Sequence, residues 1–335
     1  MLESNSGFMN ENIQAVVSVV IPTRNRPYIV SKAVTSVLAQ TIKSIEVIVV
    51  VDGPDEATVN KLKQIEDTRL RVIALPVNLG SSGARNVGVR EAKGTWIAFL
   101  DDDDEWLPEK IERQLEVAYQ SSYAFPVVSC RFFANTSEGQ LIWPKRLPLP
   151  SEPVSEYLFV RNSLFVGETF IATSTILTRK ELLEKIPFNE NLPRHEDFDW
   201  LVRVSVTEGV GIEFVLEPMA ILDVVWVSKR KSLSNINKWQ YSLNWVRSVR
   251  DIVTSRAYSA LVTTVVSAQA ASDRDFRAFI PLLWEAIKFG KPRFLDILLY
   301  FSMWLIPRDF RQLLRFIFNK NFGKITQQTL FKKHV

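Results

Sequence analysis

The chain has 335 residues, 47% of them apolar, which allows a large domain with a substantial core and excludes a disordered protein. Its single cysteine, Cys130, excludes an internal disulfide, and its two histidines, His195 and His334, are too few for a histidine-rich zinc site. No leading apolar segment with a small-residue cleavage site is found, so we expect a cytoplasmic protein.

The net charge of +4 conceals an asymmetry along the chain. Residues 1–228 carry 22 Lys and Arg against 31 Asp and Glu, whereas residues 229–335 carry 19 against 6. A basic segment of this kind could meet nucleic acid or an anionic membrane surface. Its aromatic residues lie in continuous apolar runs rather than along a basic groove, which favours the membrane.

Residues 1–14 are polar and lack periodicity, so we expect a flexible terminus there. Buried strands then alternate with amphipathic helices as far as residue 100. The predicted elements are strand 16–21, helix 29–40, strand 46–51, helix 57–65, strand 71–75, a flexible loop at 78–83, helix 84–92 and strand 96–100. This order predicts an α/β fold with a doubly wound, mostly parallel sheet and right-handed crossovers.

Polar clusters follow three of these strands, at residues 23–26, 52–53 and 101–104. Ligands bind outside the carboxyl ends of parallel strands, so the three clusters should share one crevice. The last cluster is four consecutive aspartates, which repel one another unless a cation neutralises them. Oxygen ligands favour Mg²⁺ or Mn²⁺ with open positions for water and phosphate. A solvated loop with a helix cap is the alternative interpretation.

The pattern changes after residue 126, where strands are predicted at 127–133 and 140–143 and a β-branched run at 171–178. A helix is expected at 180–185, and a second one begins in the acidic segment 194–200. Acidic residues at a helix start stabilise the dipole, so the residues alone leave capping and catalysis equally open for this segment.

Four sequence segments together resemble a known family. In chain order they are VSVVIPTRNRP, EVIVVVDG, NLGSSGARNVGVREAKGTWIAFLDDDDEWLP and HEDFDW. The chain resembles the family 2 glycosyltransferases of the GT-A fold, of the bacterial surface-polysaccharide type, over about residues 16–234. The third segment is the most specific of the four.

The resemblance implies roles for individual residues. Asp101 and Asp103 would be the metal-binding D-x-D aspartates, with Asp103 the direct ligand of Mn²⁺ or Mg²⁺ and Asp102 near the ribose or diphosphate. Glu196 and Asp197 match the acidic catalytic pair, with Asp197 as the base. The residues implied to bind the nucleotide are Pro22, Thr23, Arg24, Asn25, Asp52, Arg85 and Lys229.

The implied activity is inverting, metal-dependent transfer of one sugar from a UDP-, dTDP- or GDP-sugar to a glycan or lipid-linked acceptor. The GT-A catalytic domain would span residues 15–235, with a nucleotide-sugar half at 15–125, an acceptor half at 126–235 and a helical extension at 236–335. Two other functions stay open: a nucleotidyltransferase acting on a sugar phosphate, and a non-catalytic, membrane-bound nucleotide-binding adaptor.

The helical extension carries the membrane hypothesis. Residues 294–306 form a 13-residue apolar run, shorter than the roughly 20 residues needed to cross a bilayer, and are therefore interfacial or buried. After Pro307, an amphipathic helix is predicted with arginines on one face. Such a helix can lie on anionic lipid at the inner face of the cell membrane. The alternative is a helical hairpin packed on the catalytic domain.

Overall fold

The computed structural model describes residues 16–136, 139–163, 167–224 and 238–306. The predictions for residues 1–14, for Lys229 and for the helix after Pro307 lie outside the described residues.

The first seven elements alternate strand and helix, as predicted. They are β1 (Val17–Thr23), α1 (Ile29–Leu38), β2 (Ile45–Val51), α2 (Glu56–Leu62), β3 (Leu70–Ala74), α3 (Gly80–Glu91) and β4 (Trp96–Phe99). The four strands pair in parallel in the order β3-β2-β1-β4. Alternate strand residues enter two hydrophobic cores, one with α1 and one with α3, so both faces of this half of the sheet are covered.

Helix α3 begins at Gly80, so the loop predicted at residues 78–83 is largely the first turn of a helix. The Asp52 carboxylate at the end of β2 determines this start. It accepts hydrogen bonds from the backbone N–H of Leu79 at 2.7 Å and of Gly80 at 3.0 Å. Two of the N–H groups that a helix start leaves without partners are thereby satisfied.

The sheet becomes mixed beyond β4. The next elements are β5 (Glu105–Trp106), α4 (Lys110–Gln120), β6 (Phe125–Thr136), β7 (Gly139–Trp143), α5 (Val154–Phe159), β8 (Leu177–Arg179), α6 (Lys180–Lys185), α7 (Glu196–Ser205) and β9 (Val210–Asp223). Strand β8 runs antiparallel to β4 and β6, and β9 runs parallel to β6 and antiparallel to β5. The described residues thus form one nine-stranded sheet with flanking helices, and the predicted α/β fold class is confirmed.

The β-branched run at residues 171–178 does not form a continuous strand, although its composition favours one. Thr173–Thr175 form a 3₁₀ turn, and only Leu177–Arg179 join the sheet. Side-chain hydroxyls explain the difference, because they offer the backbone an alternative to the hydrogen bonds of a strand. The hydroxyl of Thr175 donates to the carbonyl oxygen of Ala172 at 2.6 Å. The turn brings Ser174 against the aspartates that follow β4.

The described part of the extension is helical, as predicted. Its elements are α8 (Trp239–Ser248), α9 (Ser255–Ala260), a π-helical turn (Leu261–Val266), α10 (Ser267–Ser272), α11 (Phe279–Phe289) and α12 (Phe294–Leu305). These helices share a hydrophobic core with Phe159 of α5 and Val202 of α7, so the extension packs against α5 and α7 of the sheet domain. None of the helices in the described ranges has both the length and the apolar character needed to cross a bilayer.

Candidate active site

The three polar clusters that follow β1, β2 and β4 meet at one edge of the sheet, as predicted. The hydroxyl of Thr23 donates to Asp102 Oδ2 at 2.7 Å, which joins the ends of β1 and β4. The backbone N–H of Asp52 donates to the carbonyl oxygen of Thr23 at 2.9 Å, which joins the ends of β1 and β2. Thr23, Asp52 and Asp102 are all buried, so the floor of this crevice is preformed.

Arg26 is the cation that contacts the aspartates from the loop after β1. Its Nη1 lies 2.6 Å from Asp102 Oδ1 and 3.2 Å from Asp103 Oδ2. Arg24 lies on another side of the loop, where its charge acts on Asp55. Between the two arginines, Asn25 has a left-handed backbone with φ of 53°, which reverses the direction of the loop. Arg24 and Asn25 are among the residues predicted for the site, whereas Arg26 is not.

The four aspartates after β4 have different surroundings. Burial raises the pKa of the Asp102 carboxyl, while Thr23 and Arg26 oppose the rise. Burial also raises the pKa of Asp104 well above its usual range, and the Ser174 hydroxyl donates to Asp104 Oδ2 at 2.5 Å. Asp101 and Asp103 are more exposed, with 38% and 28% of their side chains accessible to solvent. Arginines and hydroxyls therefore already offset part of the repulsion that we expected a metal ion to neutralise.

Arg85 links the aspartate cluster to the acidic pair at the start of α7. Its Nη2 lies 2.7 Å from Asp101 Oδ1, and its Nη1 lies 3.3 Å from Asp197 Oδ1 and 3.8 Å from Glu196 Oε1. Burial alone would lower the Arg85 pKa, but these three carboxylates outweigh burial and raise it. The two acidic segments, almost a hundred residues apart in the sequence, thus form one site around a buried guanidinium.

Asp197 and Glu196 differ in their contacts. The pKa of the Asp197 carboxyl is raised to about 6, first because of burial; Arg85 opposes the rise, whereas Glu196 and Asp101 add to it. Glu196 accepts a hydrogen bond from the Ser81 hydroxyl at 2.8 Å, which ties it to the start of α3. Neighbouring groups surround the Asp197 carboxyl closely enough to raise its pKa, yet 37% of the side chain remains accessible to solvent, so it can meet a ligand in the cleft.

A cavity of about 270 Å³ opens beside this acidic pair. It is lined by Arg194, His195, Glu196, Asp197, Phe198 and Val265. Val265 belongs to the π-helical turn of the extension, so the extension forms one wall of the site. The acceptor side is predicted from the sequence at residues 126–235 alone, and no local pattern around Val265 indicates its position.

His195 supports the acidic pair from the extension side. It has a left-handed backbone with φ of 68°, and its ring stacks on Trp245 with 4.6 Å between ring centroids. His195 Nε2 lies 2.7 Å from the Ser242 hydroxyl, which donates to Gln269 Oε1 at 2.8 Å. The imidazole Nε2–H therefore donates to Ser242, and burial and Arg194 lower the His195 pKa to about 4. A neutral, stacked His195 holds the turn into α7.

The aspartate cluster can contribute only part of a metal coordination sphere. Within the described ranges, no three acidic, histidine or cysteine side chains converge as metal ligands. Mg²⁺ and similar ions are often bound by one or two carboxylates together with substrate phosphates. Asp101 and Asp103 are oxygen donors of this kind at the open edge of the sheet, so they fit an ion that a diphosphate helps to coordinate.

Similarity to known proteins covers the donor side of this site. The family model described as Glycosyl transferase family 2 matches residues 18–187, just over half of the chain. The chain belongs to glycosyltransferase family 2. It is therefore a glycosyltransferase, and the nucleotidyltransferase and adaptor alternatives are set aside. The matched residues include the aspartates at 101–104 and end before Glu196 and Asp197.

Individual relatives extend the likeness. The Amylovoran biosynthesis glycosyltransferase AmsB of Erwinia amylovora is 28% identical over 255 residues, covering 72% of this chain and 82% of that protein. The UDP-Glc:alpha-D-GlcNAc-diphosphoundecaprenol beta-1,3-glucosyltransferase WfgD of Escherichia coli is 30% identical over 133 residues, covering 39% of this chain and 53% of that protein. The structure of S. aureus TarS 1-349 in complex with UDP-GlcNAc is similar with a TM-score of 0.52 and 17% identity, covering 86% and 79% of the two chains. At this identity, the structural likeness supports the fold alone.

Proposed function

We propose that this family 2 enzyme transfers one sugar from a UDP-sugar to a hydroxyl of a lipid-linked or polysaccharide acceptor, with inversion at the anomeric carbon, during surface-polysaccharide assembly. The observation that carries the proposal is the Arg85-centred site, which joins Asp101 at the donor edge to Asp197 at the cavity. One relative supports the substrate classes, since the name of WfgD specifies a UDP-sugar and a diphosphoundecaprenol acceptor.

The donor would bind at the carboxyl ends of β1, β2 and β4. Thr23 and Asp52 lie where the nucleoside would meet the sheet, with Pro22 beside Thr23 in β1 and with Arg24 and Asn25 in the loop that follows. Arg26 and Arg85 are the cations nearest the aspartates and would face the diphosphate. Asp103, with Asp101, would hold Mn²⁺ or Mg²⁺ together with the diphosphate. Such an ion, when bound, stabilises negative charge on the departing diphosphate.

Asp197 would act as the general base. Its carboxylate would accept the proton of the acceptor hydroxyl while that oxygen forms a bond to the anomeric carbon of the donor sugar. The bond from that carbon to the diphosphate oxygen breaks, and its electron pair leaves with the nucleoside diphosphate. Attack from the side opposite the leaving group inverts the anomeric centre. A pKa of about 6 leaves Asp197 mostly ionised at neutral pH and more basic than an ordinary aspartate.

The acceptor would enter the cavity beside α7. Its volume of about 270 Å³ is slightly below the roughly 300–1,000 Å³ of typical ligand pockets. The cavity therefore suits the terminal sugar of a longer acceptor. Phe198 and Val265 offer apolar surface to such a ring, and Asp197 lies in the same lining.

The products of the reaction test this function. Purified enzyme with Mn²⁺, a panel of UDP-, dTDP- and GDP-sugars and a diphosphate-lipid-linked sugar acceptor should release a nucleoside diphosphate and extend the acceptor by one sugar. We expect this with a UDP-sugar and not with the dTDP- or GDP-sugars. The product's anomeric configuration, read by NMR, should be opposite to the donor's. Retention of configuration would overturn the single-displacement mechanism, and turnover with a different nucleotide would overturn the choice of uridine.

A further inference from the structure

Helices α11 and α12 each expose a series of large apolar side chains at helical spacing. Eighteen large apolar residues of the described ranges are exposed, and eight of them lie between 276 and 305. Seven recur at helical spacing and form what we call the apolar stripe: Ile280, Trp284 and Ile287 on α11, and Phe294, Leu298, Phe301 and Leu305 on α12. Their exposed fractions reach 83% at Phe294. Such clustering indicates an interaction surface rather than scattered exposure.

The exposed charges within the segment that carries the apolar stripe have one sign. Residues 276–306 contain two acidic residues, Glu285 and Asp296, which are 4% and 1% exposed. Glu285 is held by Arg247 and the Tyr258 hydroxyl, and Asp296 accepts from the backbone N–H of Arg293. The exposed charged side chains of the same segment are Arg277, Lys288 and Lys291. Within residues 276–306, the exposed side chains are therefore either apolar or cationic.

The opposite faces of the two helices keep the apolar stripe in place. On α12, Tyr300 is fully buried and its hydroxyl donates to the carbonyl oxygen of Phe279, while Trp304 Nε1 donates to the Ser267 hydroxyl at 2.7 Å. On α11, Leu282 and Ala286 are buried in the core of the extension. Each helix thus already packs one face into the core of the extension, and the apolar stripe lies on a second, separate face.

We propose that the apolar stripe and its cations dock on an anionic lipid bilayer, with α11 and α12 lying in the headgroup plane. Neither helix can cross a bilayer, whereas apolar side chains with flanking Lys and Arg are typical of interfacial helices. A second copy of the chain would bring the same cations against this surface. Residues 307–335 would also bring like charge, since they contain seven Lys and Arg and one Asp.

The docking surface and the acceptor cavity belong to one structural unit. In the extension, Trp245 stacks on His195 and Val265 lines the cavity. Helices α11 and α12 pack in the same hydrophobic core as these two residues. A docked extension would hold the cavity at a fixed distance from the membrane. This consequence rests on the proposed lipid-linked acceptor, whereas the docking itself rests on the surface alone.

Vesicle co-sedimentation of the full chain tests the docking. Vesicles of phosphatidylcholine with phosphatidylglycerol are compared with vesicles of phosphatidylcholine alone, at low and high salt. The apolar variant is W284S/I287S/F294S, and the charge variant is K288E/K291E. Matched controls change other exposed residues in the same way: Y28S/L149S/L216S for the apolar variant and K63E/K93E for the charge variant. Thermal melts and turnover with a short, water-soluble acceptor check that each variant is folded and active.

We expect the wild-type chain to pellet with the anionic vesicles, and less so at high salt. The apolar variant should bind these vesicles at least about tenfold more weakly than the wild type. The charge variant should lose the preference for anionic lipid. Both controls should bind like the wild type, and all variants should keep their turnover with the soluble acceptor.

Equal binding by the apolar variant and its control would overturn the proposal. So would absence of wild-type binding, or a wild-type dimer that the apolar variant converts to a monomer. Absence of wild-type turnover with the water-soluble acceptor would instead contradict the proposed function.

Discussion

Replacing Asp197 with asparagine should lower kcat by about a hundredfold or more, while the affinity for UDP changes by no more than about twofold. Asparagine keeps the size of the side chain but cannot accept the proton of the acceptor hydroxyl. Arg85 lies between Asp197 and Asp101, where the donor is proposed to bind, so donor binding should not require the Asp197 carboxylate. Steady-state kinetics and calorimetry with UDP measure the two quantities separately.

Glu196→Gln is the matched control for this variant. Glu196 is adjacent, carries the same charge and also lies near Arg85, but it is held by the Ser81 hydroxyl. We expect a much smaller loss of kcat for Glu196→Gln. If Glu196→Gln instead loses turnover and Asp197→Asn keeps it, the roles of the two carboxylates are exchanged. A loss of UDP affinity with normal turnover in Asp197→Asn would place this residue at the donor.

Asp103→Ala should remove the effect of Mn²⁺ on UDP binding. In the wild type, we expect Mn²⁺ to strengthen UDP binding by about tenfold or more, because the ion would bridge carboxylate and diphosphate oxygens. Without Asp103, UDP should bind equally with Mn²⁺ and with a chelator. Arg26 loses one of its two carboxylate contacts and stays available to the diphosphate, so metal-independent binding should persist.

Calorimetry of UDP with and without Mn²⁺ makes this comparison. Asp251→Ala serves as the control, since it removes a carboxylate that is 91% exposed in the helical extension. A wild type that binds UDP equally with and without Mn²⁺ would contradict the metal assignment. A Mn²⁺ effect that survives in Asp103→Ala would move the ligand role to another aspartate of the cluster.

The donor half of the fold was predictable from the sequence for a physical reason. A parallel sheet that is covered on both faces requires continuous apolar strands, so β1, β2 and β4 are recognisable from composition alone. The antiparallel half was harder to predict from the sequence. The run at 171–178 has strand-forming composition, but hydroxyl hydrogen bonds turn its first half into a 3₁₀ turn. Strand β9, which pairs with both β5 and β6, was not predicted at all.

The candidate site was predictable only where its residues follow a strand or belong to a recognised segment. The aspartates at 101–104 and the pair Glu196 and Asp197 met these conditions. The choice between Arg24 and Arg26 depends on one left-handed residue, Asn25, whose conformation composition does not determine. Val265 reaches the cavity through packing of the extension, and this long-range contact leaves no local pattern in the sequence.

If Asp197 is a base whose pKa is set by burial and by Arg85, the pH dependence of kcat/KM should report its ionisation. Because the ionised carboxylate is the active form, kcat/KM of the wild type should rise with pH to a plateau, with a midpoint near pH 6. In Arg85→Gln the midpoint should move to higher pH, because the cation that lowers the Asp197 pKa is gone. In Asp197→Asn this limb should be absent. A wild-type profile that is flat between about pH 5 and 8, or a limb that survives unchanged in Asp197→Asn, would contradict the account.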